Sequence, residues 1–325
     1  DDPLRCLRAY RFSSQLGFKI HPETIQYIDK YKKLLSNVAV ERVQVELIKL
    51  FEGKYCSENL EKMKENGLLF QIFPELEKEI KVPPNLHHHL GLLDHSIETV
   101  RQIEILENTM PAWFIEKLNS DQANGIKYIS LLKIAGLLHD LGKPETWQID
   151  EEGRHRFIKH DEIGAQKAVD LLKRLKFSKN ACKYITKLIK YHIYPSQLIR
   201  EDEPATEKAI FRMFRKLESE TPDVILIAMA DRLSARGPEI TEDIVRKNLN
   251  GLQQFLDIYS KSKEKVESLP KLLSGNDVME ILEIPVGPRV GAILKTLKEA
   301  QISGDINTRE EAIAFIKGLE FKNNK

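Results

Sequence analysis

Apolar residues recur at three- and four-residue spacing along almost the whole chain, and this helical period is the feature that most constrains its fold. One such pattern begins at Leu4, and another begins at Val43 and stops at Gly53. The two-residue alternation typical of strands is confined to residues 146–158, which predict a short hairpin that turns at 151–153. The sequence therefore predicts an all-α protein of several helical subdomains with at most a small β-hairpin.

Breaks in the helical pattern predict where the chain divides. Pro83-Pro84-Asn85 is the clearest break, and Pro270 with the polar run 274–277 marks another near the C-terminus. A chain of 325 residues is long enough for two or three compact units. We predict three domains, which are an N-terminal domain at 1–84, a central helical bundle at 85–240 and a helical tail at 241–325.

Charge and cysteine content exclude several classes of protein. Lys and Arg total 50 against 49 Asp and Glu, so net charge does not indicate a strongly basic nucleic-acid binder, although a local basic face stays open. The three cysteines, Cys6, Cys56 and Cys182, are far apart, which argues against a disulfide framework and a zinc ribbon. No apolar run approaches the roughly 20 residues of a membrane helix, and no signal-peptide pattern is present. We expect a cytoplasmic protein with no membrane partner, and an oligomer is possible.

Histidines cluster in the middle of the chain, where eight of the nine lie between positions 87 and 192. The apolar helical pattern from Ile129 to Leu138 runs directly into the adjacent pair His139-Asp140, after which Gly142 and Pro144 end the helix. Burying such a pair is costly unless something neutralises it, as a metal ion does. Neighbouring residues on a helix diverge by about 100°, so the two side chains would approach a metal from different sides. The two carboxylate oxygens could also bridge two metals.

Four further candidate ligands lie on other predicted helices. They are His95 and His160 at helix starts, His192 at a helix end and Asp231 after the apolar run 227–230. Imidazole and carboxylate ligands without thiolate suit Mn, Fe, Ni, Zn or Mg. Such an ion lowers the pKa of bound water, which could then attack phosphorus, and two ions could clamp the attacking and leaving oxygens.

The remaining histidines have simpler interpretations. A single histidine on an apolar face is more often a hydrogen-bonded core residue than a ligand, and this alternative stays open for His160 or His192 taken alone. The run 87–89 is interpreted as a loop or helix start, from which one residue could reach the site although none is expected to bind the metal directly. His21 and His155 are interpreted as surface residues.

The order His95, His139-Asp140, Asp231 resembles the H…HD…D signature of the HD phosphohydrolase superfamily, over roughly residues 86 to 240. Within that superfamily, the two additional histidines resemble the subset that holds two metals, in which Asp140 would bridge. The resemblance also implies that Lys143 lies beside the site and binds a phosphate oxygen, so that Asp140 and Lys143 are the expected catalytic residues. The implied ligands of one or two divalent ions are His95, His139, Asp140, Asp231, His160 and His192.

A second pattern lies at the N-terminus, where Asp2, Arg5 and Arg8 are spaced three apart and are neighbours on one helix face. They form either a salt-bridged surface or a set that accepts from and donates to the edge of a nucleobase. The segment Asp1-Asp2-Pro3-Leu4-Arg5 resembles the E-D-x-x-R motif with which bacterial tRNA nucleotidyltransferases and related poly(A) polymerases read incoming CTP or ATP. Position 1 is Asp where that family often has Glu.

Further segments extend this second resemblance over essentially the whole chain, in the family's order. Residues 40–46 resemble the motif that braces the nucleotide-reading helix. The C-terminal segments 274–277, 285–288 and 308–312 resemble the family's tail module, for which we expect RNA binding. An HD domain stands between these parts in one branch of the family. The resemblance implies tRNA or other RNA 3′ ends as partners, and CTP, ATP and Mg for the parent enzyme.

The catalytic head of that family is not evident in this sequence. Its Asp-x-Asp pair occurs nowhere in the 325 residues, and no phosphate-binding glycine-rich loop precedes a helix. The chain begins at Asp1 without an initiator Met, so we expect a piece of a longer protein whose head lies N-terminal to it.

Two functional hypotheses follow. The first is a metal-dependent phosphohydrolase that acts on 2′,3′-cyclic nucleotides, phosphomonoesters or the 3′-terminal phosphate of RNA, within a protein that processes tRNA 3′ ends. The second is a non-catalytic module that binds tRNA and sets nucleotide specificity, with a structural or vestigial HD site. Asp2, Arg5 and Arg8 support the second hypothesis, together with basic helices such as the one containing 173–176. The choice among CCA, A-only and poly(A) addition stays open, as does the metal.

Overall fold

The computed structural model describes residues 2–123, 125–199, 205–268, 271–303 and 305–323. The chain forms two compact units, Asp1–Leu256 and Asp257–Lys325. The predicted all-α class is confirmed, because helices dominate the described residues. Asp1, the first position of the predicted nucleotide-reading motif, and Pro270 lie outside the described residues.

The first unit begins with five helices and two short 3-10 segments. The helices are α1 (Arg5–Leu16), α2 (Pro22–Tyr31), α3 (Val40–Glu52), α4 (Cys56–Glu65) and α5 (Leu68–Ile72), and the 3-10 segments are Lys32–Asn37 and Pro74–Lys81. The patterns that start at Leu4 and Val43 correspond to α1 and α3, which pack against each other with Tyr10 and Leu47 fully buried. His21, interpreted as a surface residue, accepts a hydrogen bond from the Glu23 N–H as the N-cap of α2.

A bundle of helices follows in the same unit. They are α6 (Leu92–Leu106), α7 (Ala112–Asn119), α8 (Tyr128–Leu138), α9 (Lys143–Thr146), α10 (His160–Arg174), α11 (Lys179–Tyr191), α12 (Tyr194–Gln197), α13 (Glu207–Leu217), α14 (Thr221–Ser234) and α15 (Glu242–Ser268), with a 3-10 turn at Glu218–Glu220. The residues of α15 after Leu256 belong to the second unit. Helix α8 is at the centre, since it packs against α3, α6 and α11, and all of its residues after Tyr128 are buried. Helix α14 is similarly apolar on all sides and packs along α6.

The predicted hairpin is present as β3 (Trp147–Ile149) and β4 (His155–Phe157), which pair antiparallel with Trp147 opposite Phe157. Its turn contains Gly153 at a φ of 76°, a conformation that favours glycine. A second antiparallel pair was not predicted, namely β1 (Asp121–Ala123) and β2 (Ile126–Lys127). Its strands are too short to show an alternating pattern in the sequence.

The second unit contains α16 (Gly275–Leu282), α17 (Pro288–Ser303) and α18 (Arg309–Asn323). Ser274 and Asp277 form a capping box that begins α16. The core of this unit includes Leu273, Val278, Leu297, Ala312 and Ile316. Among the described residues, no helix is long and apolar enough to cross a membrane. The division into three domains at 84 and 240 stays a prediction.

Candidate metal centre

The six predicted ligands lie at the ends of five helices. His139 directly follows α8, His192 directly follows α11, Asp231 lies in the last turn of α14, His160 begins α10 and His95 lies in the first turn of α6. Helices α8 and α14 are buried along most of their lengths, and their polar C-terminal ends meet, since His139 Nε2 lies 3.7 Å from Asp231 Oδ1. The carboxyl ends of helices carry partial negative charge, which favours a cation there.

The first group of ligand atoms lies around His95. Its Nε2 is 3.1 Å from Asp231 Oδ1, 3.3 Å from His139 Nε2 and 3.5 Å from Asp140 Oδ2. His139 Nε2 is in turn 3.1 Å from Asp140 Oδ2. Ligand atoms that surround one ion at about 2.1 Å lie about 3.0 to 3.4 Å from one another. The four side chains therefore have the spacing of a single coordination shell.

A second group lies on the other oxygen of Asp140. His160 Nε2 is 3.4 Å and His192 Nε2 is 3.8 Å from Asp140 Oδ1, and the two Nε2 atoms are 3.4 Å apart. One oxygen of Asp140 thus faces His95 and His139, while the other faces His160 and His192. Such an arrangement would allow this carboxylate to bridge two cations.

Hydrogen bonds select one tautomer at three of the four imidazoles. The Nδ1 atoms of His139, His160 and His192 lie 2.8, 2.8 and 2.7 Å from backbone carbonyl oxygens three residues earlier. A carbonyl oxygen only accepts, so each Nδ1 must donate its hydrogen. In the neutral ring this leaves the Nε2 lone pair, directed into the cluster, free to bind a metal.

The carboxylate of Asp140 provides the test of whether this site suits a metal. Its side chain is 1% exposed, and neither oxygen accepts a well-aligned hydrogen bond from the described residues, although Lys143 Nζ lies 2.6 Å from Oδ2. A buried carboxylate in this state is unfavourable unless cations compensate it. The surrounding nitrogen and oxygen donors fit a divalent ion of the types predicted from the sequence.

Gly142 determines how closely the second group approaches Asp140. A Cβ atom at this position would lie 2.1 Å from the carbonyl oxygen of His160 and 2.6 Å from the backbone nitrogen of Gly164. Only glycine allows the loop after Asp140 to pack this tightly against α10. The predicted helix-ending glycine therefore also brings His160 to the cluster.

Charges inside the first group stabilise one another. Burial alone lowers the pKa of His139, but the carboxylates of Asp140 and Asp231 outweigh it and raise that pKa to about 10. Burial opposes ionisation of Asp140, yet His139 and Lys143 hold its pKa well below the usual range. Asp231 is also held low against burial, by His139 and His95. Without a metal, His139 and the adjacent Lys143 balance the two carboxylates, and a metal must displace the His139 proton.

In the second group, the pKa values of both histidines are lowered rather than raised. Burial, together with repulsion from His139 and from His160 when protonated, lowers the pKa of His192 to about 3. Burial also lowers the pKa of His160, although Asp140 opposes this shift. Both rings are therefore neutral near pH 7, the form that binds a metal.

The half-buried His88, from the run in which one residue was predicted as able to reach the site, lies beside the cluster, and so does the buried Glu79, which the sequence does not single out. The ring centroid of His88 lies 4.4 Å from that of His95, and burial and the charge of Lys143 lower its pKa to about 2. Glu79 is fully buried, and burial and the charge of Asp140 raise its pKa to about 8. Glu79 stands in the charge-rich stretch 74–81, which has the composition of a solvated surface, so no local signal marks it.

The predicted nucleotide-binding residues lie at α1. The carboxylate of Asp2 pairs with Arg42 at 2.5 Å and accepts the Leu4 N–H at 3.1 Å. Arg5 and Arg8 are exposed on the helix. Arg42 belongs to the segment 40–46, which resembles the bracing motif. Asp2 is therefore held by α3, and the metal ligands and the α1 residues form two separate groups.

Two further contacts bear on the predicted basic surfaces. Arg11 Nε pairs with Glu46 Oε2 at 2.9 Å and strengthens the packing of α1 on α3. Arg174, in the basic run 173–176, binds both carboxylate oxygens of Glu75 at 2.8 and 2.9 Å. Arg174 therefore has a structural partner, which reduces the charge that this run presents to RNA.

Comparisons with known proteins match both the N-terminal helices and the bundle that carries the histidine cluster. The family model described as "Probable RNA and SrmB- binding site of polymerase A" matches residues 17–80, and the HD domain model matches residues 92–236. The A-adding tRNA nucleotidyltransferase of Deinococcus radiodurans is 32% identical over 322 residues, which cover 97% of this chain and 68% of that protein. The CC-adding tRNA nucleotidyltransferase of Thermus thermophilus is 31% identical and is matched over 97% of this chain and 66% of its own length.

Solved structures show the same fold. A CCA-adding enzyme in complex with CTP aligns with a TM-score of 0.53 at 16% identity, over 98% of this chain and 60% of that chain. The Thermotoga maritima CCA-adding enzyme complexed with tRNA aligns with a TM-score of 0.50 at 14% identity, over 98% and 61%. The chain thus spans about two thirds of the length of the curated relatives it matches.

Proposed function

The chain belongs to the tRNA nucleotidyltransferase family, and we propose that it combines the tRNA-binding part of such an enzyme with an HD-type metal-dependent phosphohydrolase centre. The substrates of that centre are 2′,3′-cyclic nucleotides, phosphomonoesters or the 3′-terminal phosphate of RNA. The parent function is the processing of tRNA 3′ ends. Family membership supports the tRNA-binding role, and the ligand cluster supports the hydrolase role.

The observation that carries the hydrolase proposal is the position of Asp140. Its two oxygens face two different sets of imidazole nitrogens at 3.1 to 3.8 Å. A divalent cation held by such ligands supplies Lewis acidity and lowers the pKa of coordinated water. The set His95, His139, Asp140 and Asp231 would hold one ion, and Asp140, His160 and His192 would hold a second.

The residues around the cluster provide for an anionic substrate. Lys143 Nζ lies beside Asp140 and 5.3 Å from the centre of the Phe157 ring, so its charge is held at the cluster. A phosphate oxygen that enters there meets this ammonium group. Asp231 has a 25% exposed side chain and lines an open cavity of about 530 Å³, which provides access from solvent.

The test is hydrolysis of 2′,3′-cyclic AMP by the purified chain with added Mn²⁺ or Ni²⁺. We expect turnover that EDTA abolishes and that Asp140→Ala lacks. Asp170→Ala replaces an exposed aspartate on α10 and should retain full activity. Absence of turnover by a metal-loaded chain, or equal turnover by Asp140→Ala, would contradict the hydrolase proposal.

A second function is favoured by the contacts of α1. Asp2 and Arg11 are held by Arg42 and Glu46 of α3, while Arg8 is exposed, so α1 presents a fixed row of charge. We propose that this surface selects CTP or ATP. Arg8→Ala should weaken nucleotide binding about tenfold in equilibrium dialysis, as expected for one lost charged hydrogen bond. Arg246→Ala, at an exposed arginine on α15, should have no effect, and equal affinity of the wild type and Arg8→Ala would exclude this role.

A further inference from the structure

The segment Asn85–His88 forms a tight turn beside the metal centre. The side chain of Asn85 accepts the backbone N–H groups of His87 and His88 at 2.9 and 3.1 Å, and the Asn85 N–H donates to the His88 carbonyl at 2.9 Å. These bonds hold the backbone of His88 in one position. The ring of His88 meets that of His95 edge-on, at an interplanar angle of 76°.

Contacts from a distant part of the chain fix this turn further. Gly237 donates its N–H to the His87 carbonyl at 2.9 Å, and Glu239 donates to the Leu86 carbonyl at 3.0 Å. A Cβ atom at Gly237 would lie 2.3 Å from the carbonyl carbon of His87 and 2.6 Å from the backbone nitrogen of His88. The loop after α14 therefore holds His88 in place, and α14 also carries Asp231.

His88 stands between two cavities. One, of about 530 Å³, is lined by His88 together with Asp231 and Arg232. The other, of about 560 Å³, is lined by His88 together with Arg154 and Arg156 of the β3–β4 hairpin. Volumes of this size suit one small ligand. The second cavity, whose charged non-histidine lining residues are these two arginines, favours an anion, whereas the first is also lined by Asp231 and Glu239.

One atom of His88 has no partner in this arrangement. Its Nδ1 is buried, and no hydrogen bond to it is formed by the described residues. A buried ring nitrogen without a hydrogen bond is unfavourable. Such an atom, on a ring that contacts His95 and lines both cavities, is suited to a ligand that arrives from them.

We propose that His88 is a substrate-binding residue of the metal centre, and that its Nδ1–H donates a hydrogen bond to a phosphate oxygen of the bound nucleotide. The proposal rests on the proposed hydrolase function of the same site. The phosphate is that of a free nucleotide or that of the terminal residue of an RNA. In either case it lies between His88 and Lys143, with the nucleoside in one of the two cavities.

The test is the affinity of the Mn²⁺-loaded full chain for inorganic phosphate, measured by isothermal titration calorimetry. His88→Ala should weaken binding about tenfold. His21→Ala, at an exposed histidine that begins α2 and lines neither cavity, should bind like the wild type. Metal content, measured by mass spectrometry, should be unchanged in both variants. Loss of metal in His88→Ala, equal phosphate affinity in all three proteins, or no phosphate binding by the wild type would overturn the proposal.

Conservative variants separate this role from a packing role. An asparagine side chain places its amide near the position of Nδ1, whereas a glutamine amide lies nearer the position of Nε2. We expect His88→Asn to retain phosphate affinity within about threefold and His88→Gln to lose it. The reverse order would contradict the proposal, even if His88→Ala fails to fold.

Assays with ester substrates distinguish failure of the hydrolase proposal from failure of the proposed His88–phosphate contact. A wild type whose phosphate binding depends on His88, but which hydrolyses neither 2′,3′-cyclic AMP nor a 3′-phosphorylated RNA, contradicts the hydrolase proposal and leaves the His88 contact established. A larger loss of kcat/KM in His88→Ala for the RNA than for the free nucleotide would identify RNA ends as the source of the phosphate.

Discussion

Two buried acids near the histidine cluster are held in opposite protonation states by their surroundings. Positive groups hold the pKa of Asp140 well below its usual range despite burial. Glu79 accepts a hydrogen bond from Ser96 at 3.2 Å, but burial and the charge of Asp140 outweigh it and raise the pKa of Glu79 to about 8. Burial raises the pKa of both acids, so the difference between their protonation states comes from the charges of their neighbours.

Glu79 should make the metal-free protein less stable as pH rises. Its pKa is about 8 in the folded state against a model value of 4.5, so between these values the folded chain holds a proton that the unfolded chain has released. The contribution to stability is full below pH 4.5 and is lost as pH approaches 8. Glu79→Gln should therefore be more stable than the wild type at pH 8, by roughly 1 to 3 kcal/mol, with little advantage at pH 5.

Urea unfolding in EDTA at both pH values measures this effect. Glu77→Gln changes an exposed residue of the same 3-10 segment and should leave the pH dependence of the wild type intact. A Glu79→Gln protein whose stability changes with pH as steeply as that of the wild type would refute the assignment.

At the scale of elements, a buried lysine joins three helices. Lys133 of α8 is 1% exposed and donates to the carbonyl of Gly53 at the end of α3, at 3.1 Å. Its Nζ also lies 3.6 Å from Glu104 in α6 and 3.5 Å from Glu107 just after it. Glu104 in turn accepts the backbone N–H of Cys56 at 2.7 Å. This polar network connects the N-terminal helices to the bundle that carries the metal ligands.

Lys133→Met should destabilise the protein by roughly 3 kcal/mol, because two buried carboxylates lose their cation. Lys127→Met removes a half-exposed ion pair with Glu52 and should cost less than about 1 kcal/mol. Chemical denaturation of both variants gives the comparison. Similar losses in the two variants would show that the Lys133 network contributes no more than a surface ion pair.

Local sequence pattern predicts most of the helix ends that carry the ligands, but not every residue around them. The end of α8 is predictable because its apolar run stops at Leu138, and Gly142 and Pro144 follow. The start of α6 was placed at His95, whereas the helix begins at Leu92, directly after Gly91. The local pattern predicts a loop or helix start at His88. It does not show how His88 is positioned, because that depends on contacts with residues far along the chain.

At the scale of the whole molecule, a net charge of +1 gives no general attraction to RNA. Binding of tRNA must therefore come from a local basic surface, as expected for the tRNA-binding role proposed from family membership. We expect gel-shift binding of tRNA at 50 mM salt that weakens at least tenfold at 200 mM. Asp140→Ala should bind tRNA like the wild type, because the metal cluster is internal. An affinity that is independent of salt, or no binding at 50 mM, would contradict this expectation.

The central claim is that Asp140 bridges two cations, and metal stoichiometry tests it most directly. The chain, loaded with Mn²⁺ and freed of excess ion, should contain about two ions by mass spectrometry. His95→Ala and His160→Ala should each retain about one, since each loses a ligand of one group only, and Asp140→Ala should retain neither. A wild type that binds no Mn²⁺, or an Asp140→Ala protein that still holds two ions, would contradict the account.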